Sequence, residues 1–208
     1  MSSLTLRASE IGKTFNRRTV LKDISFSLGT GESLAITGKN GSGKSTLIKI
    51  LAGLLTPSRG MLEYAISGKP EDMDGVRPMI GLVSPYLQLY DEFTALENLT
   101  ILSRIRNTAL PSTSNVEKIF RTYGLWERRD DFVRTFSSGM KQRLKYIVAL
   151  GHAPSIVMLD EPTANLDEEG CTIVRDAVTE LQSATLTIIA TNDEREASWC
   201  KKRIHIGA

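Results

Sequence analysis

The chain has 208 residues, 41% hydrophobic and 24% charged, an ordinary globular composition with length for one sizeable core. Its formal net charge of +2 gives no global basic field, so nucleic acid is not an expected partner. No run of about eighteen apolar residues marks a membrane span, and Met1-Ser2-Ser3-Leu4-Thr5-Leu6-Arg7 lacks a signal peptide's apolar core.

In chain order, Leu4 to Ile11 and Thr19 to Leu28 alternate apolar and polar residues, as half-buried strands do, with Arg17-Arg18 as the turn between them. Gly29-Thr30-Gly31-Glu32 breaks the pattern before Leu34-Ala35-Ile36, a short apolar strand. Next come nine residues, Gly38-Lys39-Asn40-Gly41-Ser42-Gly43-Lys44-Ser45-Thr46, and then Leu47 to Ala52, read as a helix that stops before Pro57. Strand, glycine loop and helix in that order are the context in which G-x-x-x-x-G-K-S/T is a phosphate-binding loop. Gly38, Gly41 and Gly43 let backbone N–H groups turn inward toward phosphate oxygens, and the helix N-terminus adds partial positive charge. Lys44 suits the terminal phosphates and the Ser45 hydroxyl suits Mg²⁺.

Beyond the loop, Met61 to Ile66 and Ile80 to Val83 are strand candidates. Thr94 to Tyr123 is mostly helical with an interruption at Pro111, and Gly139 to Leu150 is a helix. Ile156 to Leu159 and Leu186 to Ala190 suit central strands covered on both faces, and Glu168 to Leu181 reads as the crossover helix between them. With no long linker, residues 1–208 are expected to form one domain. The expected fold is α/β: an N-terminal antiparallel β subdomain, a mostly parallel sheet, and a helical insertion near residues 85–136.

Ile156-Val157-Met158-Leu159-Asp160-Glu161 delivers two carboxylates to the end of an apolar strand, where ligands bind in open α/β sheets. Asp160 suits Mg²⁺, directly or through water, and Glu161 suits a base that orients an attacking water. Other chemistry-bearing residues read as ordinary. His152 and His205 lack metal partners. Cys171 and Cys200 have no short metal-type spacing and suit reduced thiols of a cytosolic protein. Lys201-Lys202-Arg203, Arg128, Arg129 and Arg134 suit a solvated surface, and Trp126 and Trp199 suit packing.

Three segments then carry a resemblance. Asp160-Glu161-Pro162-Thr163-Ala164-Asn165-Leu166-Asp167 resembles the Walker B segment, catalytic glutamate and D-loop of an ABC-transporter ATPase domain, with Asp167 as the D-loop carboxylate. Phe136-Ser137-Ser138-Gly139-Met140-Lys141-Gln142-Arg143 resembles that family's signature, usually L-S-G-G-Q, and the phosphate loop supplies its Walker A. Phe15 falls where the family stacks an aromatic on adenine, Leu96-Glu97-Asn98-Leu99 resembles the start of its helical subdomain, and Arg203 to Gly207 its closing strand. The match covers nearly the whole chain.

The resemblance implies a P-loop ATPase that binds ATP and Mg²⁺ and powers a transporter through separate transmembrane permease subunits. It would lie peripherally on the cytoplasmic membrane face. Two domains, identical or different, would sandwich two ATPs head to tail, with Ser137, Ser138, Gly139 and Met140 of one meeting the γ-phosphate held by the other. A hydroxyl and backbone N–H groups at a helix N-terminus suit that task. In size and in Ser-Ser-Gly-Met-Lys-Gln-Arg the chain resembles small stand-alone exporter subunits, including haem-exporter-like ones.

The chain departs from the family at two catalytic positions. Pro85 stands at the family's glutamine, with Gln88 three residues on as a substitute able to reach Mg²⁺ if the loop bends. Asn192 stands at the family's γ-phosphate-contacting histidine and has a shorter, uncharged reach. Slow hydrolysis is one expectation. The alternatives are an ATP-gated clamp with little turnover or a soluble regulatory ABC ATPase. The chain carries neither the sustained heptads of chromosome-type members nor the second ATPase domain of translation-type members.

Overall fold

The structure, a computed structural model, describes residues 3–207. Strand β1 (Leu4–Phe15) pairs antiparallel with β2 (Arg18–Gly29) from Thr5↔Gly29 to Phe15↔Arg18. The turn is Asn16-Arg17, with φ of 44° and 67°, one residue earlier than expected. Two consecutive positive-φ residues match the right-handed twist of a hairpin, which leaves Arg18 in the strand. On its other edge β1 pairs antiparallel with β4 (Arg59–Ile66), and β4 pairs with β5 (Lys69–Glu71). The sequence did not announce β5, because Lys69-Pro70-Glu71 is exposed throughout and has no apolar alternation. As an edge strand it tolerates a proline.

The second sheet is wholly parallel, in the order β6-β7-β8-β3-β9: β6 (Ile80–Val83), β7 (Ile156–Asp160), β8 (Leu186–Thr191), β3 (Ser33–Thr37) and β9 (Lys202–His205). Every residue of β3, β7 and β8 is buried, as expected for strands covered on both faces. The period of two divides their side chains between two cores. Ile156, Met158, Ile188 and Ala190 join α1 (Lys44–Leu51) and the antiparallel sheet on one side. Val157, Leu159 and Ile189 join α3 (Ala95–Ile105), α5 (Ser138–Leu150) and α6 (Glu168–Gln182) on the other. Each fully buried Leu or Ile contributes about 1.5–3 kcal/mol.

A short helix α2 (Met73–Val76) precedes β6. Between β6 and α5 lie α3 and α4 (Thr113–Thr122), separated by the segment containing Pro111. Helix α3 opens with a capping box: Glu97 N donates to Thr94 Oγ1 at 3.1 Å and Thr94 N donates to Glu97 Oε2 at 2.8 Å. This satisfies two otherwise orphan donors. Fully buried Asn98 accepts from Tyr90 N and donates to the carbonyls of Tyr90 and Thr94, tying the preceding loop to the helix. The short helix α7 (Glu194–Ala197) sits between β8 and β9. Among the described residues no helix is long and apolar enough to cross a membrane.

Candidate functional site

Because the second sheet is wholly parallel, β3, β6, β7 and β8 all end at one edge. The phosphate loop, Ser84-Pro85, Asp160-Glu161 and Thr191-Asn192 therefore emerge there together, where open α/β sheets bind ligands.

The loop after β3 depends on its glycines. Gly38, Gly41 and Gly43 have φ of 152°, 79° and 103°. A Cβ at Gly38 would lie 2.4 Å from the Ile206 carbonyl oxygen and 2.7 Å from Ser42 Oγ, whereas one at Gly41 would meet open space. Gly43 caps α1 without any side-chain hydrogen bond, so the helix N-terminus keeps free N–H groups for an anion. Lys44 is buried, and its Nζ donates to the carbonyls of Gly38 (2.9 Å) and Lys39 (3.2 Å). The ammonium is thus held inside the loop by neutral acceptors, which an incoming phosphate exceeds in charge. Lys39, Asn40, Ser45 and Thr46 follow from the same local path. Phe15 is 43% exposed at the β1–β2 turn, with Lys13 Nζ 5.0 Å from its ring centroid.

At the end of β7, Asp160 is 2% exposed, and its Oδ1 has no hydrogen-bond partner. Burial raises its pKa above the ordinary carboxylate value, and the charge of Glu161 adds to this, while hydrogen bonding from Ser45 and the charges of Lys44 and Lys49 act the other way. A buried carboxylate oxygen without a donor, beside a serine hydroxyl, is a donor set that fits a hard divalent cation. Glu161 has left-handed backbone, φ 52°, and its N–H donates to the Ala190 carbonyl at 2.8 Å. Such strain in a non-glycine residue costs about 1–3 kcal/mol and concentrates at functional turns.

Asn192, at the end of β8, donates from Nδ2 to Asn40 Oδ1 at 2.7 Å. The structure therefore brings Asn192 directly to the phosphate loop across 152 residues of chain. His205 lines a cleft with Asn192, Asn40 and Thr37, its Nδ1 3.3 Å from Thr37 Oγ1; its place at the end of a strand parallel to β3 was not legible from spacing. Pro85 is exposed, and Tyr86 beside it lies over Lys49, with Nζ 3.7 Å from the ring centroid. Gln88 lies in a cleft with Ser138, Gln142, Lys145 and Asn165 and makes no hydrogen bond to Ser45 or Asp160 among the described residues.

Ser137 is the N-cap of α5, its hydroxyl accepting from Met140 N at 3.2 Å. Ser138 starts the helix, and a Cβ on Gly139 would reach only ordinary contact distance, 3.5 Å, from the Asn165 carbonyl oxygen. Asp167 caps α6 by accepting from Gly170 N at 2.8 Å, so its carboxylate already has a local structural role. Sequence reasoning missed Glu196. It is 4% exposed, accepts from the N–H and hydroxyl of Thr163 and from the hydroxyl of Thr191, and lies between two site loops. The only signal was an acidic residue in a short polar helix.

The sequence model of the family described as ABC transporter matches residues 21–164. The chain is 33% identical to the linearmycin resistance ATP-binding protein LnrL of Bacillus subtilis over 92% of its own length and 62% of that protein. It thus spans less than two thirds of that relative. It is also 33% identical to the lipoprotein-releasing system ATP-binding protein LolD of Pseudomonas fluorescens, over 97% of this chain and 94% of that one. A solved ATP binding subunit of an ABC transporter superposes with a TM-score of 0.83 at 26% identity, covering 97% and 85% of the two chains. The dimeric ATP-binding cassette MJ0796 bound to ADP and Pi shares the fold, with a TM-score of 0.84 at 24% identity over 97% and 94%. This chain belongs to the ABC transporter family, as one of its ATP-binding domains.

Proposed function

We propose that this chain is the subunit whose ATP binding and hydrolysis power a membrane transporter. The observation that carries the reading is the convergence of the phosphate loop, the Asp160–Glu161 strand end and Asn192 at one sheet edge. Phe15 stacks on adenine, and residues 38–46 hold the phosphates. Ser45 and Asp160 would hold Mg²⁺, which would supply neutralisation of phosphate charge. Glu161 orients and deprotonates the attacking water. Ser137 to Met140 of a second domain, of the same or another chain, complete the site head to tail, beside the partner's Asp167 segment. Residues 1–208 act as one such domain with an insertion near 85–136.

The membrane partner is a separate permease subunit of exporter type, reached from the cytoplasmic face. A cavity of about 580 Å³ beside the Pro85 turn, bordered by exposed Leu54, Tyr86 and Ile105, suits an apolar-faced helix of that subunit. The same turn touches α1 through Lys49, so docking and nucleotide binding share a structural element.

Steady-state phosphate release checks the reading. The wild type releases phosphate, and Glu161→Gln retains ATP binding, lowers turnover about a thousandfold and elutes as an ATP-dependent dimer in size-exclusion chromatography. Wild-type turnover in that variant defeats the assignment of Glu161. A second reading, an ATP-gated clamp, draws on the Asn192 amide facing Asn40. Wild-type ATP binding and dimerisation without phosphate release would favour it.

A further inference from the structure

Glu196 is a buried carboxylate that no step above uses. Its Oε1 accepts from Thr163 N at 2.9 Å and from Thr163 Oγ1; its Oε2 accepts from Thr191 Oγ1. Thr163 lies two residues after Glu161, and Thr191 lies one residue before Asn192. Thr191 Oγ1 also accepts from Asp193 N at 2.9 Å, so both sides of Asn192 are held by one hydroxyl. On the other loop, the Tyr146 hydroxyl of α5 donates to the Pro162 carbonyl at 2.8 Å, and the fully buried Tyr146 ring stacks on Tyr123 with centroids 5.6 Å apart. The Pro162–Thr163 turn is therefore fixed to the core at one end and to Glu196 at the other.

A carboxylate removed from water requires strong donors. Here those donors are three groups: two on Thr163, in the loop that follows Asp160, and one on Thr191, the last residue of β8, from which the Asn192 loop leaves. One side chain thus satisfies itself only when both loops are in place. Neutral hydroxyls bonded to a charge are stronger partners than neutral pairs, and the buried setting resists competition from water.

We propose that Glu196 is a positioning residue for hydrolysis: a carboxylate brace that fixes the Glu161 turn relative to the Asn192 segment. It touches no nucleotide and acts through Thr163 and Thr191. The inference rests on the reading of Glu161 as the water-orienting base. It predicts that weakening the brace lowers turnover while leaving ATP affinity, which the phosphate loop supplies, unchanged.

The experiment compares wild type with Glu196→Gln, Thr191→Val and Thr191→Ser. It measures phosphate release against ATP concentration, calorimetric ATP binding and thermal melting. In Glu196→Gln the amide oxygen still serves Thr163, but the NH₂ replaces the acceptor that Thr191 uses. Turnover number falls about tenfold, the equivalent of one charge-assisted hydrogen bond partly recovered, with KM within about twofold. Thr191→Val removes the same bond from its other end, together with the bond that Thr191 Oγ1 accepts from Asp193 N, so its fall is at least as large, and the double variant falls no further than Thr191→Val alone. Thr191→Ser, which keeps the hydroxyl, retains wild-type turnover. Should Glu196→Gln not fold, the valine and serine pair decides alone. The proposal is overturned if folded Glu196→Gln or Thr191→Val turns over ATP at the wild-type rate. It is equally overturned if Thr191→Ser loses as much as Thr191→Val, or if the two losses simply multiply. Absence of phosphate release in the wild type would instead remove the base assignment, and the brace with it.

Discussion

The two sides of the site are built in opposite ways. The phosphate loop is one contiguous stretch, residues 38–46, whose groups converge through local backbone turns and a lysine bonded to its own loop. The opposite side is assembled from Asp160, Glu161, Thr163, Thr191, Asn192 and Glu196, held by a buried carboxylate and an amide pair to Asn40. A contiguous loop carries its chemistry in its spacing. An assembled side carries it in tertiary hydrogen bonds, so single substitutions there shift rate more readily than affinity.

Lys44→Ala breaks the comparison hardest, because it removes the one cation enclosed by the loop. ATP affinity in a calorimetric titration falls by about a hundredfold or more, as expected for loss of charge-assisted phosphate contacts. Unchanged affinity would mean that the contiguous side does not bind the phosphates.

Gly38→Ala and Gly41→Ala test whether the loop is as local as it looks. A methyl at Gly38 runs into the Ile206 carbonyl of the last segment, so melting or denaturant titration shows a loss of about 3 kcal/mol. At Gly41 there is open space and only the positive φ resists, so the loss is about 1 kcal/mol. Equal losses would show that the segment after β9 does not shape the loop.

Asn192→His sharpens the other half. The imidazole reaches further than the amide and gives up the bond to Asn40, so turnover rises about tenfold with little change in ATP affinity. Adding Glu161→Gln erases the gain. If turnover stays flat in a folded variant that binds ATP, the segment is adapted to asparagine.

Asp160→Asn has the smallest effect on the nucleotide-free fold. Burial raises the Asp160 pKa above its unfolded value. Its favourable contribution is therefore full below the unfolded value and is lost as pH rises through the folded one. At neutral pH the ionised carboxylate disfavours the fold, and asparagine raises the nucleotide-free melting temperature by a few degrees. The same variant should lose the Mg²⁺ dependence of ATP-induced stabilisation. A lowered melting temperature at pH 7 would show that Ser45, Lys44 and Lys49 outweigh the burial.

The sequence by itself determined the sheet class, the glycine loop, the Asp160–Glu161 strand end and the helical insertion, because apolar period and motif spacing are local properties of the chain. It did not reveal β5, whose three exposed residues owe their strand to backbone pairing with β4. Only the tertiary structure decided that Gln88 turns toward α5, that Asn192 meets Asn40 and that His205 reaches the end of β3. It alone placed Glu196 between two loops. The physical reason is distance along the chain: Thr163 and Glu196 are 33 residues apart and Asn40 and Asn192 are 152 apart. A hydrogen bond across such a separation leaves no period and no spacing; it exists only once the parallel strands have brought their ends to one edge.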